Sequence, residues 1–458
     1  MKILLVSTYE LGHQPIGLAS PAAQLLQRGH DVRCLDLAVE PFDCVRAADV
    51  ELVGISVPMH TALRLGVHAA GRVRALNPTC HMCFYGLYAS LNGEYLLGHA
   101  ADSVIGAEFE PPLLALADRL SGGAPTGTAG VWTKDHFSEP FLGRQQFLKP
   151  ARNLLPPLKR YAQLINNGAQ HLVGAVEASR GCAHTCLHCP ITPVYGGRLR
   201  IVPQDVVLAD ARALVDMGAE HITFGDPDFF NGIKHSMAIV RQLHDDFPKV
   251  TFDATIKIEH IVEKRELMPE LKRLGCLFVV SAVESLSDRV LLCLDKGHTR
   301  AQIDEALGIV RQAGLWLKPS LIPFTPWSTM TDYLELLDWA EQEALVESID
   351  PVHFAIRLLL PPGSSLLSKP YTIPHLLGLN QADFSYEWRH PDERMDRLHE
   401  EVAALVESAV HARTDRCLTF ARIKEVARAA AGAPPVAPLA ARQTQGVKPP
   451  YLTESWFC

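Results

Sequence analysis

The chain has 458 residues, of which 48% are hydrophobic and 21% charged, a composition typical of a soluble globular protein with about two to four domains. Its net charge of −8, without a basic block, argues against a nucleic-acid partner held through phosphate contacts, and no apolar run is long enough to span a membrane. The eleven cysteines show no regular pairing, which fits a reducing compartment and predicts a cytoplasmic protein.

Residues 1–122 alternate apolar strand-like runs with helical patterns. This alternation predicts an α/β domain with a doubly wound parallel sheet, flavodoxin- or Rossmann-like, which binds ligands at the carboxyl ends of its strands. No G-x-G-x-x-G pattern follows the first strand, which disfavours a dinucleotide. The predicted strands are Lys2–Ser7, Asp31–Leu37, Leu52–Val57, His81–Tyr85 and Ser103–Ile105, and the predicted helices are Ser20–Gln27, Thr61–Leu76, Leu91–His99 and Pro112–Leu120.

Residues 123–170 begin with a turn-rich stretch and are predicted to be a linker. Residues 171–375 repeat the alternation in six strand–helix units, too few for a closed eight-unit barrel, so we expect a partial (β/α)6 TIM-like barrel. The predicted strands are Val173–Ala178, His221–Gly225, Thr251–Ile256, Leu277–Ser281, Trp316–Ile322 and Val352–Leu358, and the predicted helices are Pro203–Met217, Lys234–Asp245, Lys264–Leu274, Arg300–Ala313 and Thr331–Ala344.

The last part of the chain is predicted to be helical and then flexible. Charged helical patterns cover Asp392–His411 and Thr419–Ala431, so residues 376–431 are expected to form a helical C-terminal region. Residues 432–458 open with a stretch rich in proline and alanine, which favours a flexible tail.

Three cysteines, Cys182, Cys186 and Cys189, directly follow the first strand of the second series with the spacing C-x3-C-x2-C. Thiolates are soft ligands that suit iron, and a structural four-iron cluster normally takes four of them, so three leave one iron open. A zinc site would favour paired C-x2-C units, and three clustered cysteines cannot all pair in disulfides.

The motif and the barrel around it resemble the radical SAM superfamily. The resemblance implies an enzyme in which a [4Fe–4S] cluster on the three cysteines cleaves S-adenosylmethionine (SAM) reductively to start radical chemistry on a small-molecule substrate. It also implies an electron donor such as ferredoxin or flavodoxin. A non-catalytic iron–sulfur binding protein is the alternative from another functional class.

The same resemblance implies that strand ends bind SAM. The turn at Gly225 and Asp226 is expected to receive the amino group, unless it uses these residues for turn geometry alone. Ser281 and Glu284, at the end of the fourth strand, are expected at the ribose hydroxyls, although Glu284 also suits a helix cap. 

Two further positions complete the implied SAM site. Lys257, on the third strand, either pairs with the SAM carboxylate or stays solvated, and His188, before the last cysteine, is expected near the adenine. The sequence 296–298 resembles a turn of the superfamily to which no contact is assigned.

Residues 1–122 resemble the cobalamin-binding-type domain that precedes many radical SAM cores, through segments 15–19, 28–32, 53–57 and 85–90. The D-x-H-x-x-G motif of that family is absent: Leu11 takes the Asp position, and Gly17 follows His13 one residue too late. The domain therefore either binds cobalamin without that histidine or persists without the cofactor, and His13 is either a ligand or a loop residue. The corresponding functions are cobalamin-dependent methyl transfer to an unreactive carbon, or cobalamin-independent radical chemistry under an N-terminal lid.

Almost end to end, the chain resembles the radical SAM family named for its Cys-selenocysteine-Ala-Glu-Pro (CUAEP) or Cys-Cys-Ala-Glu-Pro tail. The supporting segments are 190–197, 225–232, 278–284 and 454–458. Because the chain stops at Cys458, the resemblance predicts that the native tail continues with selenocysteine. Such a pair would hold a thiophilic or metalloid substrate or act in redox chemistry; the alternative is a true terminus with an ordinary thiol.

Overall fold

The computed structural model describes residues 1–122, 129–434 and 448–454. Its N-terminal part is built around a six-stranded sheet. Five strands are parallel, as the apolar runs predict, and the sixth joins one edge in the antiparallel direction. The strands are β1 Lys2–Ser7, β2 Asp31–Asp36, β3 Leu52–Ser56, β4 His81–Tyr85, β5 Ser103–Ile105 and β6 Val131–Thr133. Their spatial order, β2-β1-β3-β4-β5-β6, confirms the doubly wound fold.

Helices cover this sheet, whose strands pack apolar side chains on both faces. The first helix continues through Pro21, which has no N–H to give to the carbonyl of Gly17. The Tyr85 hydroxyl donates to that carbonyl instead, at 2.8 Å, so the helix tolerates the proline. The helices are α1 Ile16–Gln27, α2 Cys44–Ala48, α3 His60–Leu76, α4 Leu87–Leu91, α5 Gly93–His99 and α6 Glu110–Leu120.

The second sheet curls into a half-barrel. Five parallel strands form its wall, and two antiparallel strands extend one edge, in the order β14-β13-β12-β11-β8-β7-β17. Its strands are β7 Gln163–Asn166, β8 Ala169–Val176, β11 His221–Phe224, β12 Thr251–Thr255, β13 Cys276–Glu284, β14 Trp316–Leu321 and β17 Tyr451–Leu452, while β9 Ser179–Gly181 and β10 Leu199–Ile201 pair as a separate hairpin.

Helices pack on the outside of the half-barrel around the largest hydrophobic cluster of the described residues. The predicted helix Lys264–Leu274 begins as a 3-10 turn at Arg265–Leu267 and continues as an α-helix over Met268–Arg273, and a separate α-helix, Ile258–Glu263, precedes it. The helices are α7 Ile191–Tyr195, α8 Gln204–Asp216, α9 Ile233–Asp246, α10 Ile258–Glu263, α11 Met268–Arg273, α12 Asp288–Leu294, α13 Arg300–Gln312 and α14 Met330–Gln342. Short 3-10 helices cover Arg152–Leu154, Leu158–Arg160, Phe229–Gly232, Arg265–Leu267, Pro351–Phe354, Ser365–Ser368 and Ile373–His375.

The sixth strand predicted for the barrel, Val352–Leu358, is wrong. A 3-10 helix occupies Pro351–Phe354, and Arg357 forms a single parallel bridge to Phe324. The Asp350 carboxylate accepts a hydrogen bond from the Val352 amide, and Pro351 at the first helical position favours the helical start. A short apolar run cannot be told from a buried helical segment by periodicity alone, which explains the error.

The predicted linker 123–170 contributes a strand to each sheet, β6 and β7, and so is more than a connection. The predicted helical region 376–431 opens with a hairpin of β15 Leu376–Asn380 and β16 Ser385–Trp388, followed by α15 Glu393–His411 and α16 Arg416–Ala430.

The predicted flexible tail 432–458 also returns to the fold, through β17 at the edge of the half-barrel. Glu454 then packs against Gly12, where an added β-carbon would lie 2.4 Å from its carboxylate. The predicted role of Cys458 lies outside the described residues. Within the described ranges, no helix is long and apolar enough to cross a membrane.

Candidate functional site

The carboxyl ends of β8, β11, β12 and β13 bring together most of the residues that the sequence singled out. Neighbouring parallel strands end at the same side of a barrel, so side chains far apart in the chain meet there. The cysteine loop leaves β8 through β9 and returns through β10, which places it over this side of the half-barrel. We call the region the mouth.

The three cysteines lie in the loop between β9 and β10, and none of them forms a disulfide. Cys186 is buried, and Cys182 and Cys189 are partly buried. The Asn231 side-chain amide donates to Cys182 Sγ at 3.4 Å. Burial raises the pKa of Cys182, and it raises that of Cys189 to about 12. These two thiols therefore stay protonated until a metal displaces their protons.

The spacing of the three sulfur atoms suits a cluster better than a single ion. A tetrahedral zinc ion holds thiolates at about 2.3 Å, which requires sulfurs within about 4 Å of one another. In the described part of the chain, the cysteine sulfurs do not form a group within 4.8 Å, whereas the donor atoms of His184, Asp228 and His260 do. Each cysteine of a four-iron cluster binds a different iron, so its sulfurs need not converge on one point as the ligands of a zinc ion do.

Glu284 lies beside the cysteine loop in a buried ion pair. A β-bulge precedes it in β13, and its backbone φ of +63° turns the chain away from the strand. The Lys296 Nζ lies 3.0 Å from Glu284 Oε1, and His188 Nε2 lies 3.3 Å from the same oxygen. Burial opposes ionisation, but Lys296 and His188 together outweigh it and lower the pKa of Glu284 to about 2. The mouth therefore carries a fixed carboxylate at one predicted SAM position, Glu284, and next to a second, His188.

Asp226 is fully buried beneath the cysteine loop. Its carboxylate accepts hydrogen bonds from the Ala178 amide at 2.9 Å and from the Ser179 hydroxyl at 2.5 Å. Burial raises the pKa of Asp226 to about 7. Both oxygens are used within the protein, so the side chain fixes the start of the cysteine loop. The neighbouring Gly225 lies half-buried at the mouth, and its amide donates to the Val176 carbonyl.

Lys257 follows β12 and is held by polar partners at the mouth. Its ammonium lies 2.9 Å from Glu259 Oε2 and 3.1 Å from His184 Nδ1. A β-carbon added at Gly297 would fall 3.2 Å from this ammonium, so the 296–298 turn closes over it. The residue is therefore not a solvated surface lysine.

Ser281 does not join the other predicted SAM positions. Ser281 lies on the same face of β13 as Val279 and Val283, which pack in the hydrophobic cluster under the outer helices. Its hydroxyl is buried, and it has no hydrogen-bond partner among the described residues. The side chain points away from the interior of the half-barrel, and the predicted ribose contact is not supported by this position.

A cleft lies between the two sheets, with strand carboxyl ends on both sides. It has a volume of about 670 Å³, including the part open to solvent. The N-terminal sheet contributes Glu10, Gly17 and Gly86, and the half-barrel contributes Gly225 and the start of the cysteine loop. Ligands of open α/β sheets bind at this end of the strands, so the cleft is a second candidate site next to the mouth.

Glu10 is a polar group with spare bonding capacity at this cleft. The amide of Ile16 donates to its Oε1 at 2.8 Å, while Oε2 is buried and has no hydrogen-bond partner among the described residues. Burial raises the pKa of Glu10 to about 8. The carboxyl group is therefore neutral near pH 7 and can offer an O–H to a ligand in the cleft.

His13 does not face the cleft. It is buried, and the charged groups that act on it are those of Asp253, His221 and Arg152, in the half-barrel and the connector. Burial lowers the pKa of His13 to about 4. The side chain is neither an exposed loop residue nor part of the cleft wall.

Sequence reasoning missed several polar side chains at the mouth. Lys296 was noted only within a turn of unknown contact, and His184, Asp228 and His260 were not noted as site residues. His184 lies in the cysteine loop, and Asp228 and His260 lie within five residues of a strand end, which is the positional signal that would have found these three; Lys296 follows α12 and carries no such signal.

Comparison with known proteins identifies a domain within the chain. Residues 176–340 match the radical SAM superfamily. Members of this superfamily are enzymes that use a [4Fe–4S] cluster and SAM, so the match confirms the predicted enzyme class and these two cofactors.

The curated relatives include the hopanoid C-3 methylase of Methylococcus capsulatus, which is 25% identical over 324 residues, or 69% of this chain and 62% of that protein. An uncharacterized methyltransferase of Pyrococcus horikoshii is 24% identical over 346 residues, or 72% of this chain and 73% of that protein. The chain thus spans less than two thirds of the methylase, and its own activity does not follow from these names.

Two solved structures share the fold. TsrM from Kitasatospora setae, with cobalamin and a [4Fe–4S] cluster bound, gives a TM-score of 0.61 at 16% identity over 75% of this chain and 70% of that one. OxsB, with aqua-cobalamin and SAM bound, gives 0.67 at 15% identity over 89% of this chain and 67% of that one. At these identities the similarity confirms the architecture of two α/β units.

Proposed function

Starting from a chain with a radical SAM domain over residues 176–340, we propose that it is a cobalamin-dependent radical SAM methyltransferase acting on a small-molecule carbon centre. The observation that carries the proposal is the cleft between the sheets, which has strand carboxyl ends on both sides and opens beside the three-cysteine loop. TsrM and OxsB, which bind cobalamin, share this arrangement of two α/β units.

Cys182, Cys186 and Cys189 would hold the [4Fe–4S] cluster. When bound, this cluster supplies the electron that cleaves SAM. The protein contributes three thiolates and withholds a fourth, which leaves one iron for SAM. Asp226 is a positioning residue in this proposal, because it holds Ala178 and Ser179 at the start of the loop.

SAM would lie across the mouth from β11 to β13. The Gly225 backbone would accept the amino group, the Lys257 ammonium would pair with the carboxylate, and Glu284 would accept from the ribose hydroxyls. Lys296 and His188 keep Glu284 ionised and oriented, so it remains an acceptor near neutral pH. We do not propose a contact for Ser281, since its side chain packs under the helices.

Cobalamin would lie in the cleft and supply a methyl carrier next to the mouth. The residues present fit a largely polar ligand, because the cleft is lined where β3 and β4 end, at Ser56 and Gly86, and Glu10 presents an oxygen without a hydrogen-bond partner among the described residues. His13 points elsewhere, so we propose that His13 would not serve as a cobalt ligand.

The experiment is anaerobic reconstitution with iron, sulfide and hydroxocobalamin, followed by metal analysis, absorbance spectra and incubation with SAM and a reductant. We expect four irons and one corrinoid per chain, with formation of 5′-deoxyadenosine. The triple variant C182A/C186A/C189A should lose the cluster and the SAM cleavage. Cys293→Ala, at a partly buried thiol outside the loop, serves as the matched control and should keep both.

Retention of four irons by the triple variant would overturn the cluster assignment. Absence of corrinoid after reconstitution, with SAM cleavage intact, would overturn the methyl-transfer proposal. That result would favour the second candidate, a cobalamin-independent radical SAM enzyme, for which the missing D-x-H-x-x-G motif is the supporting observation.

A further inference from the structure

Three side chains from three separate segments of the chain converge at the cysteine loop. His184 lies between the first two cysteines, Asp228 follows β11, and His260 belongs to α10 after β12. Asp228 Oδ2 lies 2.8 Å from His260 Nδ1 and 3.3 Å from His184 Nε2. All three donor atoms fall within 4.8 Å of one another. One nitrogen from each imidazole and one carboxylate oxygen therefore face a common point.

Asp228 Oδ2 contacts both imidazoles at ion-pair distances. His184 Nε2, Asp228 Oδ2 and His260 Nδ1 are each buried, and none has a hydrogen-bond partner among the described residues. A metal ion between the three atoms would be coordinated by all of them, whereas the ion pairs alone use one carboxylate oxygen for both imidazoles. The convergence of three such donor atoms in a mostly buried place indicates a ligand.

The other oxygen of the carboxylate is fixed by the backbone. Asp228 Oδ1 accepts from the amides of Lys257 at 3.2 Å and Phe230 at 3.3 Å. The carboxylate is thereby oriented with Oδ2 toward the imidazoles. Such support from backbone donors is typical of carboxylates that bind metal ions.

We propose that His184, Asp228 and His260 bind one divalent first-row transition-metal ion, such as Zn²⁺ or Fe²⁺. Two imidazoles and one carboxylate are a common donor set for both ions, and with three protein ligands the ion keeps an open position. His184 and His260 are 22% and 15% exposed, so the open position is accessible from the mouth. An oxygen or nitrogen donor of the substrate would occupy it.

This ion is distinct from the [4Fe–4S] cluster, because its ligands are nitrogen and oxygen atoms and include no cysteine. The inference also holds independently of cobalamin. It assigns to the mouth a Lewis acid that would orient a carboxylate or hydroxyl substrate next to SAM.

The ammonium of Lys257 competes with a metal ion for His184. Its ammonium lies 3.1 Å from His184 Nδ1, which must carry a proton when Nε2 binds a metal. The Lys257 ammonium must then move away from His184 Nδ1, while it can retain its ion pair with Glu259 Oε2, 2.9 Å away. Removal of this cation should therefore strengthen metal binding, whereas loss of a ligand should abolish it.

The test uses the full-length, cluster-loaded protein, equilibrated anaerobically with Zn²⁺ against a chromophoric chelator and then desalted. We expect one zinc per chain, in addition to the cluster iron and sulfide. Asp228→Asn and His260→Gln should bind zinc at least about 100-fold more weakly, since loss of even an outer partner costs about 10–100-fold. Their iron and sulfide contents should stay unchanged.

Two further variants separate a metal site from a simple ion-pair network. Lys257→Met should keep one zinc and bind it at least as tightly as the unchanged protein. His244→Gln, at a partly buried histidine of α9 outside the group, should have no effect. Zinc X-ray absorption should show nitrogen and oxygen neighbours, including imidazole, and no sulfur.

Substoichiometric zinc in the unchanged protein, a sulfur shell around the zinc, or equal zinc affinity in Asp228→Asn would each overturn the proposal. Loss of zinc in Lys257→Met would do so as well, because it would make the lysine part of the binding group and not a competitor for His184.

Discussion

Arg152 connects the N-terminal part to the half-barrel through a buried guanidinium that is 2% exposed. It forms a bidentate pair with Asp210 of α8, with Nε–Oδ1 and Nη2–Oδ2 distances of 2.9 and 2.8 Å. It also donates to the carbonyl oxygens of Gln14, after β1, and of Ala175, in β8. One side chain thus satisfies acceptors from three separate parts of the chain.

We predict that Arg152→Met lowers the free energy of unfolding by about 3–5 kcal/mol, the range for a buried ion pair that loses one partner. Part of this loss is the Asp210 carboxylate, 4% exposed, left without its counter-ion. The rest comes from the carbonyl oxygens of Gln14 and Ala175, each costing about 1–3 kcal/mol when left unpaired. The double variant Arg152→Met/Asp210→Leu removes the stranded charge, so it should be more stable than the sum of the two single changes implies, by about 1–3 kcal/mol.

The assay is urea denaturation followed by far-ultraviolet circular dichroism and tryptophan fluorescence. Arg241→Met is the matched control, because Arg241 forms the same bidentate pair with Glu270, at 2.9 and 3.1 Å, with its side chain 50% exposed. Solvent screens such a pair, so we expect no measurable shift in its unfolding midpoint. A midpoint for Arg152→Met that matches the control, or additive losses in the double variant, would contradict the prediction.

Three other outcomes follow from buried groups. Glu10→Gln should raise the melting temperature above pH 8 and change it little below pH 4.5, because a pKa raised to about 8 removes stability as the pH rises from 4.5 through 8; thermal melts at both pH values check this. Lys296→Met should destabilise the protein at neutral pH, and the deficit should narrow as the pH falls from 4.5 toward 2, where Glu284 protonates, as measured by urea midpoints. Leu452→Ala should cost about 2–3 kcal/mol in urea denaturation, whereas Leu418→Ala, at a 49% exposed position, should leave the midpoint unchanged.

The central strands were predictable because each is a continuous apolar run bounded by turn residues. β1 and β4 have the predicted bounds, Lys2–Ser7 and His81–Tyr85. The short strands β6, β7 and β17 were missed, since two to four half-buried residues carry too short a pattern to read. Their pairing depends on partners that the local sequence does not reveal.

The candidate site likewise combines features that the local sequence predicts with features that it does not. The cysteine spacing is local and was readable, and the domain match confirms the cofactor that it implied. The convergence of His184, Asp228 and His260 joins three separate segments of the chain, and the Glu284–Lys296 pair joins a strand end to a turn. Asp226 shows the limit of strand-end reasoning, because it lies near the predicted strand end while its carboxylate turns inward to the Ala178 amide and the Ser179 hydroxyl. Side-chain direction is set by packing, which a single sequence does not display.

The pairing of β17 with β7 has a consequence for synthesis of the chain. Tyr451 and its partner Ile165 are 286 residues apart, and at about 5–20 residues per second the ribosome needs roughly 15–60 s to make the intervening chain. During that time one edge of β7 has no partner, although β8 already pairs with the other. An unpaired edge is a template for association with other chains. Nascent chains and products of premature termination therefore expose the unpaired edge of β7, an aggregation-prone surface that β17 covers once it has been synthesised.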